Sequence, residues 1–169
     1  AAFWDARYAA AGFAYGEAPN AWLAACEPRL PRGARVLLPA DGEGRNAVFL
    51  ASRGHRPTSL DQSAVGLAKA RALADAHGVA IETLQADLAA WTPAPKAWDA
   101  VVLVFAHLPP DLRRRAHAAL ASGLRPGGLL VLEGFDASHV GLPGGGPRDP
   151  AWLFDADSLR EDLHALDLP

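Results

Sequence analysis

The chain has 169 residues and a mass of 17.7 kDa, the size of one domain. Half of its residues are apolar and 21% are charged, the balance of a globular protein and not of a disordered one. With 16 basic and 19 acidic residues the formal net charge is −3, which excludes a strongly basic protein held on a phosphate backbone.

A single cysteine, Cys26, excludes an internal disulfide framework. No apolar run approaches the ~18 residues of a membrane span. Ala1 to Tyr8 hold no basic stretch followed by an apolar one, so no secretory leader is read there. The expectation is a cytoplasmic protein with no membrane and no nucleic-acid partner; a homo-oligomer is left open. Methionine is absent even at position 1, so a processed, trimmed or incompletely recorded N-terminus is expected. The excess of Arg over Lys and the abundance of Ala are read as genome composition.

In chain order, Phe3 to Tyr15 mixes aromatic and small residues, with Trp4, Arg7 and Tyr8 at near-helical spacing, until Gly16, Pro19 and Asn20 interrupt it. Ala21 to Leu30 reads as a helix stopped near Pro31 and Gly33. Arg35 to Pro39 is the first strand; its lack of polar alternation fits a parallel strand covered on both faces. A glycine-bearing turn, Ala40 to Gly44, leads into a helix over Arg45 to Ser52, closed by Gly54. His55 to Leu60 is a second strand weakened by Pro57, and Ser63 to His77 a helix ended by Gly78, with Asp61 or Ser63 as its cap. Ala80 to Gln85 and Ala97 to Phe105 are the third and fourth strands. Asp111 to Ser122 is a helix, Leu124 to Gly128 a tight turn, Leu129 to Glu133 the fifth strand, and Ser158 to Leu166 the last helix. Five alternations of strand and helix predict an α/β fold, a doubly wound, Rossmann-like, mostly parallel sheet with helices on both faces. The whole chain, 1–169, reads as one domain: 1–30 a helical lid segment, 31–169 a ligand-binding core.

The turn after the first strand carries the main chemical signal. Gly42-x-Gly44-x-x-Ala47 matches the end of a dinucleotide fingerprint, where glycines admit close backbone approach and the next helix presents free N–H groups. Asp61, at the end of the second strand, can accept two hydrogen bonds from a ribose diol; the alternative is a helix cap. Asp87, after the third strand, can take an adenine amino group with Leu88 offering its N–H to the ring; the alternative is an ordinary loop aspartate. His55, His77, His117, His139 and His164 have no metal-ligand spacing, so no metal is expected.

These blocks together resemble class I S-adenosylmethionine-dependent methyltransferases, and within them the small tellurite-resistance and thiopurine-type enzymes. The resemblance rests on Phe3 to Tyr8 with Tyr15-Gly16 and Pro19-Asn20, Val36 to Asn46, Leu60 to Ser63, Ala86 to Leu88, Trp98 to Val101 leading to Phe105 to Leu108, Leu124 to Gly128, and Gly144 to Asp149 with Leu153-Phe154. It implies S-adenosylmethionine as cofactor, held by Ala40, Asp41, Gly42, Gly44, Asn46, Asp61, Gln62, Asp87, Leu88 and Phe105. It implies a small-molecule acceptor, a soft sulfur, selenium or tellurium nucleophile, met by His107, Arg148 and Tyr15, with Trp4 and Tyr8 as lid aromatics or plain core. Leu38 stands where that family has an acidic residue and Ala40 where it has its first glycine; both bear on cofactor affinity. The resembled fold continues with two more strands, the last antiparallel, so either the sequence is incomplete or the protein ends short; without those strands one sheet edge would be bare. Two other readings stay open: an NAD(P)-dependent oxidoreductase using the same glycines and Asp61, and a non-catalytic relative that binds a nucleotide weakly or not at all.

Overall fold

A computed structural model describes residues 1–142 and 145–168. Its five strands are β1 (Arg35–Pro39), β2 (Arg56–Asp61), β3 (Glu82–Gln85), β4 (Trp98–Val104) and β5 (Leu124–Glu133). They form one sheet in the order β3-β2-β1-β4-β5, every pair parallel. The helices are α1 (Ala2–Tyr8), α2 (Ala21–Cys26), α3 (Arg45–Ser52), α4 (Ala64–Ala76), α5 (Pro110–Gly123) and α6 (Ala156–Asp162). The α/β, Rossmann-like expectation is met. Among the described residues, no helix is long and apolar enough to cross a membrane.

Two apolar layers explain why the central strands lack polar alternation. Val36 and Leu38 of β1 join Ala100 and Val102 of β4 beneath Leu23 and Cys26 of α2 and Ala47 and Leu50 of α3. Leu37, Val101 and Leu103 point to the opposite face and meet Leu120 of α5. Successive side chains of a strand alternate faces, so burial on both sides requires an unbroken apolar run. Pro57 is tolerated in β2 for a geometric reason. The Arg56 N–H donates toward β1, to the Ala34 carbonyl at 2.8 Å. The next N–H of the strand would face β3, whose pairing starts only at Thr58–Glu82, so no ladder bond is lost.

Several boundaries differ from the sequence reading. Helix α2 stops at Cys26 and continues as a 3-10 turn, Glu27–Arg29, because Pro28 has no N–H to give. Ser63, not Asp61, caps α4: its hydroxyl accepts the Gly66 N–H at 3.0 Å. Strand β5 begins at Leu124. Arg125 to Gly128 bulge out between the Trp98–Leu124 and Ala100–Leu129 pairs, so the expected turn lies inside the strand, with Gly127 at φ +77°. Helix α6 starts at Ala156 because the Asp155 carboxylate takes the Ser158 N–H at 2.8 Å.

Candidate functional site

The chain moves outward from β1 to β3 and then returns to lay β4 beside β1 on its other side. The connections leaving the C-terminal ends of β1 and β4 therefore run in opposite directions, which makes this the topological switch point, where open α/β sheets bind their ligands. The glycine-bearing loop lies at this switch point. Ala40, Gly42 and Gly44 all have left-handed backbones, at φ +57°, +62° and +83°. For Ala40 this conformation is strained, and the residue is exposed at the rim. Gly44 has no room for a side chain: a Cβ there would lie 2.4 Å from the Ala70 Cβ of α4.

Two aspartates tie this loop to β2. The Asp61 carboxylate accepts the Gly42 N–H and the Ser63 N–H, both at 2.9 Å, and the residue is 5% exposed. Burial raises its pKa above the usual carboxylate range. Asp41 Oδ2 accepts the Ser59 hydroxyl at 2.8 Å, while its buried Oδ1 has no partner among the described residues. Burial, with Asp61 nearby as a further contribution, pushes the Asp41 carboxyl up to about 7. Gln62 is half-buried beside this pair, and its carbonyl accepts from the Gln85 side chain at 3.3 Å. The Ala86 N–H donates to the Asp61 carbonyl at 3.1 Å, which brings the end of β3 alongside. Asp87 is exposed there, with Oδ1 turned back to the Ala89 N–H at 2.8 Å, and Leu88 is half-buried.

The sequence-selected Asn46 is buried, and its Oδ1 accepts the Asn20 N–H at 2.9 Å. Asn20 also reaches Glu133 at the end of β5 through its Nδ2, at 2.5 Å. Tyr15 is 49% exposed on the leading segment; its carbonyl accepts from Arg45 at 3.2 Å, and Arg7 lies over its ring. Of the lid aromatics, Tyr8 is buried and Trp4 stacks on it at 5.6 Å. A Cβ on Gly42 would lie 2.5 Å from the Tyr8 hydroxyl.

On the β4–β5 side the structure builds an aromatic ladder. Phe105 follows directly after β4 at φ +53°, an outlier for a bulky residue, and its ring meets Phe135 at 4.7 Å. His107 stacks between Phe135 and Phe154. Its Nδ1 faces the Trp152 carbonyl at 2.8 Å and its Nε2 faces the Phe135 N–H at 3.0 Å. A carbonyl can only accept and an N–H can only donate, so the partners fix the neutral tautomer with the proton on Nδ1. Burial lowers the His107 pKa and agrees with this. With both nitrogens committed, the geometry makes His107 a brace. Arg148 is exposed and makes no ion pair or hydrogen bond with any described residue. Of the glycine run read in that loop, Gly144 lies outside the described residues, as does its neighbour Pro143.

Sequence reasoning missed Glu43, Lys69 and Glu133. Glu43 is buried between the two glycines, accepting the Ala14 N–H at 2.7 Å and the Lys69 ammonium at 2.9 Å. The available signal was compositional: Lys69 is one of only two lysines in the chain. No group of three or more metal-ligating side chains occurs among the described residues.

A parallel sheet with a topological switch point, a glycine loop and a carboxylate at the end of β2 defines a nucleotide-binding class of Rossmann-like proteins. The chain belongs to the methyltransferase domain family, whose pattern matches residues 36–128, more than half of its length. A comparison with curated proteins found no match. Among solved structures, the chain is similar to the protein described for conversion of a disulfide bond into a thioacetal group during echinomycin biosynthesis. Identity there is 28% and the TM-score 0.71, over 86% of this chain and 67% of that one. It also resembles a TehB-like SAM-dependent methyltransferase from Corynebacterium glutamicum (23%, TM-score 0.65, over 85% of this chain and 70% of that one). A third is a SAM-dependent methyltransferase from Geobacter sulfurreducens in complex with S-adenosyl-L-homocysteine (24%, TM-score 0.59, over 76% and 52%). The chain spans 48% of a Pyrococcus horikoshii protein and 58% of a Methanosarcina mazei methyltransferase that it also matches, about half of their length.

S-adenosylmethionine is the cofactor of this methyltransferase family, and the residues present fit it. Exposed Ala40 leaves the loop backbone open at the switch point, and Asp41 Oδ1, without a partner among the described residues, lies within that loop. Each Asp61 oxygen accepts only one bond, so each keeps a lone pair for a further donor.

Proposed function

We propose that this chain transfers a methyl group from S-adenosylmethionine to a small-molecule acceptor with a soft nucleophilic atom, sulfur first. The observation that carries the reading is the β1–β4 switch point of the sheet, with its left-handed loop and buried Asp61, in a chain of the methyltransferase family. The bound cofactor supplies an electrophilic methyl on a sulfonium. The chain's own work is to hold the reactants in line and keep water out.

In this reading the backbone at Ala40 and Gly42 receives the methionyl end, Asp61 and Gln62 the ribose, and Asp87 and Leu88 the adenine. Asn46 and Gly44 act through the loop's shape. Phe105 borders the methyl, and aromatic faces there favour a cation. Tyr15 and Arg148 are assigned to the acceptor, and His107 to holding Phe135 and Trp152 in place. A thiolate needs little acid or base help, which agrees with a neutral His107 whose nitrogens are both engaged. Sulfur is favoured over selenium and tellurium because the relative at 28% identity is described by a reaction of a disulfide. The likeness to the TehB-like enzyme, at 23% identity, supports the fold and not a tellurite substrate.

Calorimetric titration with S-adenosylmethionine, S-adenosylhomocysteine and NADH, followed by turnover on a thiol panel, tests this. Binding of the two adenosyl ligands and not of NADH, with methylation of at least one thiol, is expected; NADH binding alone would overturn it. Asp61→Ala removes the acceptor of two buried N–H bonds, so it should lose cofactor binding and about 2–4 kcal/mol of stability. Unchanged affinity in that variant would remove Asp61 from the ribose site.

A further inference from the structure

The leading segment is held to the glycine loop, the start of α3 and α4 by a row of hydrogen bonds. Glu43 accepts the Ala14 N–H at 2.7 Å. Arg45 donates to the carbonyls of Tyr15 and Ala18 at 3.2 and 3.3 Å. Asn46 accepts the Asn20 N–H at 2.9 Å. The centre of this seam is Lys69 of α4, whose ammonium donates to Ala10 O at 2.8 Å, Gly12 O at 2.6 Å and Glu43 Oε1 at 2.9 Å. An ammonium has three protons, and all three are used.

The same segment has thin apolar anchorage. Tyr8 is buried against Gly42 and Gly66, and Phe13 lies against Val48, Leu73 and Ala74. Between them Ala9 to Gly12 are exposed. Gly12 and Gly16 have left-handed backbones and nothing within 4 Å of where a Cβ would be, the freedom expected of hinge positions. Glu43 stands between the left-handed Gly42 and Gly44 of the loop and is itself buried, so it moves with the loop.

From this we infer that Glu43 is a positioning residue: through Lys69 it seats residues 9–20 over the proposed cofactor site, so that holding the cofactor and closing this segment are one event. The inference rests on the cofactor reading above and assigns Glu43 no contact with the reacting atoms. A shift of the loop on cofactor binding moves Glu43, and with it the partner that Lys69 needs to hold Ala10 and Gly12. Conversely, releasing the segment lifts Tyr8 from Gly42.

The test compares wild type, Glu43→Gln, Lys69→Met, the double variant and Glu43→Asp by calorimetry with S-adenosylhomocysteine and by limited proteolysis within residues 9–16, with and without that ligand. The expected result is at least a tenfold rise in Kd in Glu43→Gln and in Lys69→Met and no further loss in the double variant, because the two act as one unit. Partial rescue is expected in Glu43→Asp. Cleavage should be slowed by ligand in wild type and accelerated about tenfold in Glu43→Gln even without it. Unchanged Kd in both single variants, or cleavage of wild type that ligand does not slow although it binds, overturns the latch. If wild type binds no adenosyl ligand, the cofactor reading falls and the coupling with it. Cleavage without ligand then shows separately whether Glu43 holds the segment.

Discussion

Asp41 and Gly44 show how single positions set the loop. Asp41 is a carboxyl with one oxygen bonded to Ser59 and the other buried without a described partner. Its pKa is raised from 3.8 to about 7 in the folded state. A raised carboxyl pKa means the folded chain binds the proton more tightly than the unfolded one. The stabilising contribution is therefore full below the unfolded value and is lost as pH rises through about 7. Asp41→Asn, which mimics the neutral acid, should leave the melting temperature nearly unchanged at pH 4 and raise it by several degrees at pH 8; thermal scans at the two pH values check this. Gly44→Ala combines a left-handed φ of +83° with a Cβ 2.4 Å from that of Ala70 and 2.8 Å from its Cα. It should cost about 3 kcal/mol, from left-handed strain plus overpacking, measured by urea denaturation.

Among elements, the docking of α6 on α5 depends on buried charge. Arg113 donates to Asp162 at 2.7 Å, with both side chains almost fully buried. His117, 1% exposed, lies 3.1 Å from the same carboxylate but out of line for a hydrogen bond. Burial lowers the His117 pKa against the pull of Asp162. Arg113→Met strands the Asp162 carboxylate and should destabilise by about 3–5 kcal/mol. Arg113→Met with Asp162→Leu should recover most of the loss, because a buried ion pair replaced by apolar groups is near neutral. Equal destabilisation in the single and double variants would count against the pair as the cause. At the opposite end of the sheet a second brace joins elements: Asp99 takes the Arg35 N–H at 2.8 Å and the Arg125 guanidinium at 2.7 Å, fixing the starts of β1, β4 and β5.

For the molecule as a whole, the proposed cofactor site draws on the ends of β1, β2, β3 and β4, so a ligand there binds only the folded chain. At a concentration a hundred times Kd it should add about 2.7 kcal/mol of stability. That corresponds to a rise in melting temperature of about 5–10 °C for a chain of this size. S-adenosylhomocysteine should produce the rise and NADH should not; a differential scan reads both.

The sequence by itself determined the α/β order, because apolar runs without alternation at Val36 to Leu38 and Ala100 to Leu103 can be satisfied only by burial on both faces. It also placed the candidate site, since a glycine turn after the first strand and an acid at the end of the second are local patterns. Their resemblance to a methyltransferase domain agrees with the family to which the chain belongs. Only the tertiary structure decided what the polar side chains hold. Asn46 and Asp61, chosen for a ligand, accept from Asn20, Gly42 and Ser63. His107 has both nitrogens taken by backbone 28 and 45 residues away. Glu43 finds Lys69 across 26 residues. A hydrogen-bond partner supplied by a distant turn leaves no periodicity or spacing in the sequence, whereas burial of a strand face does.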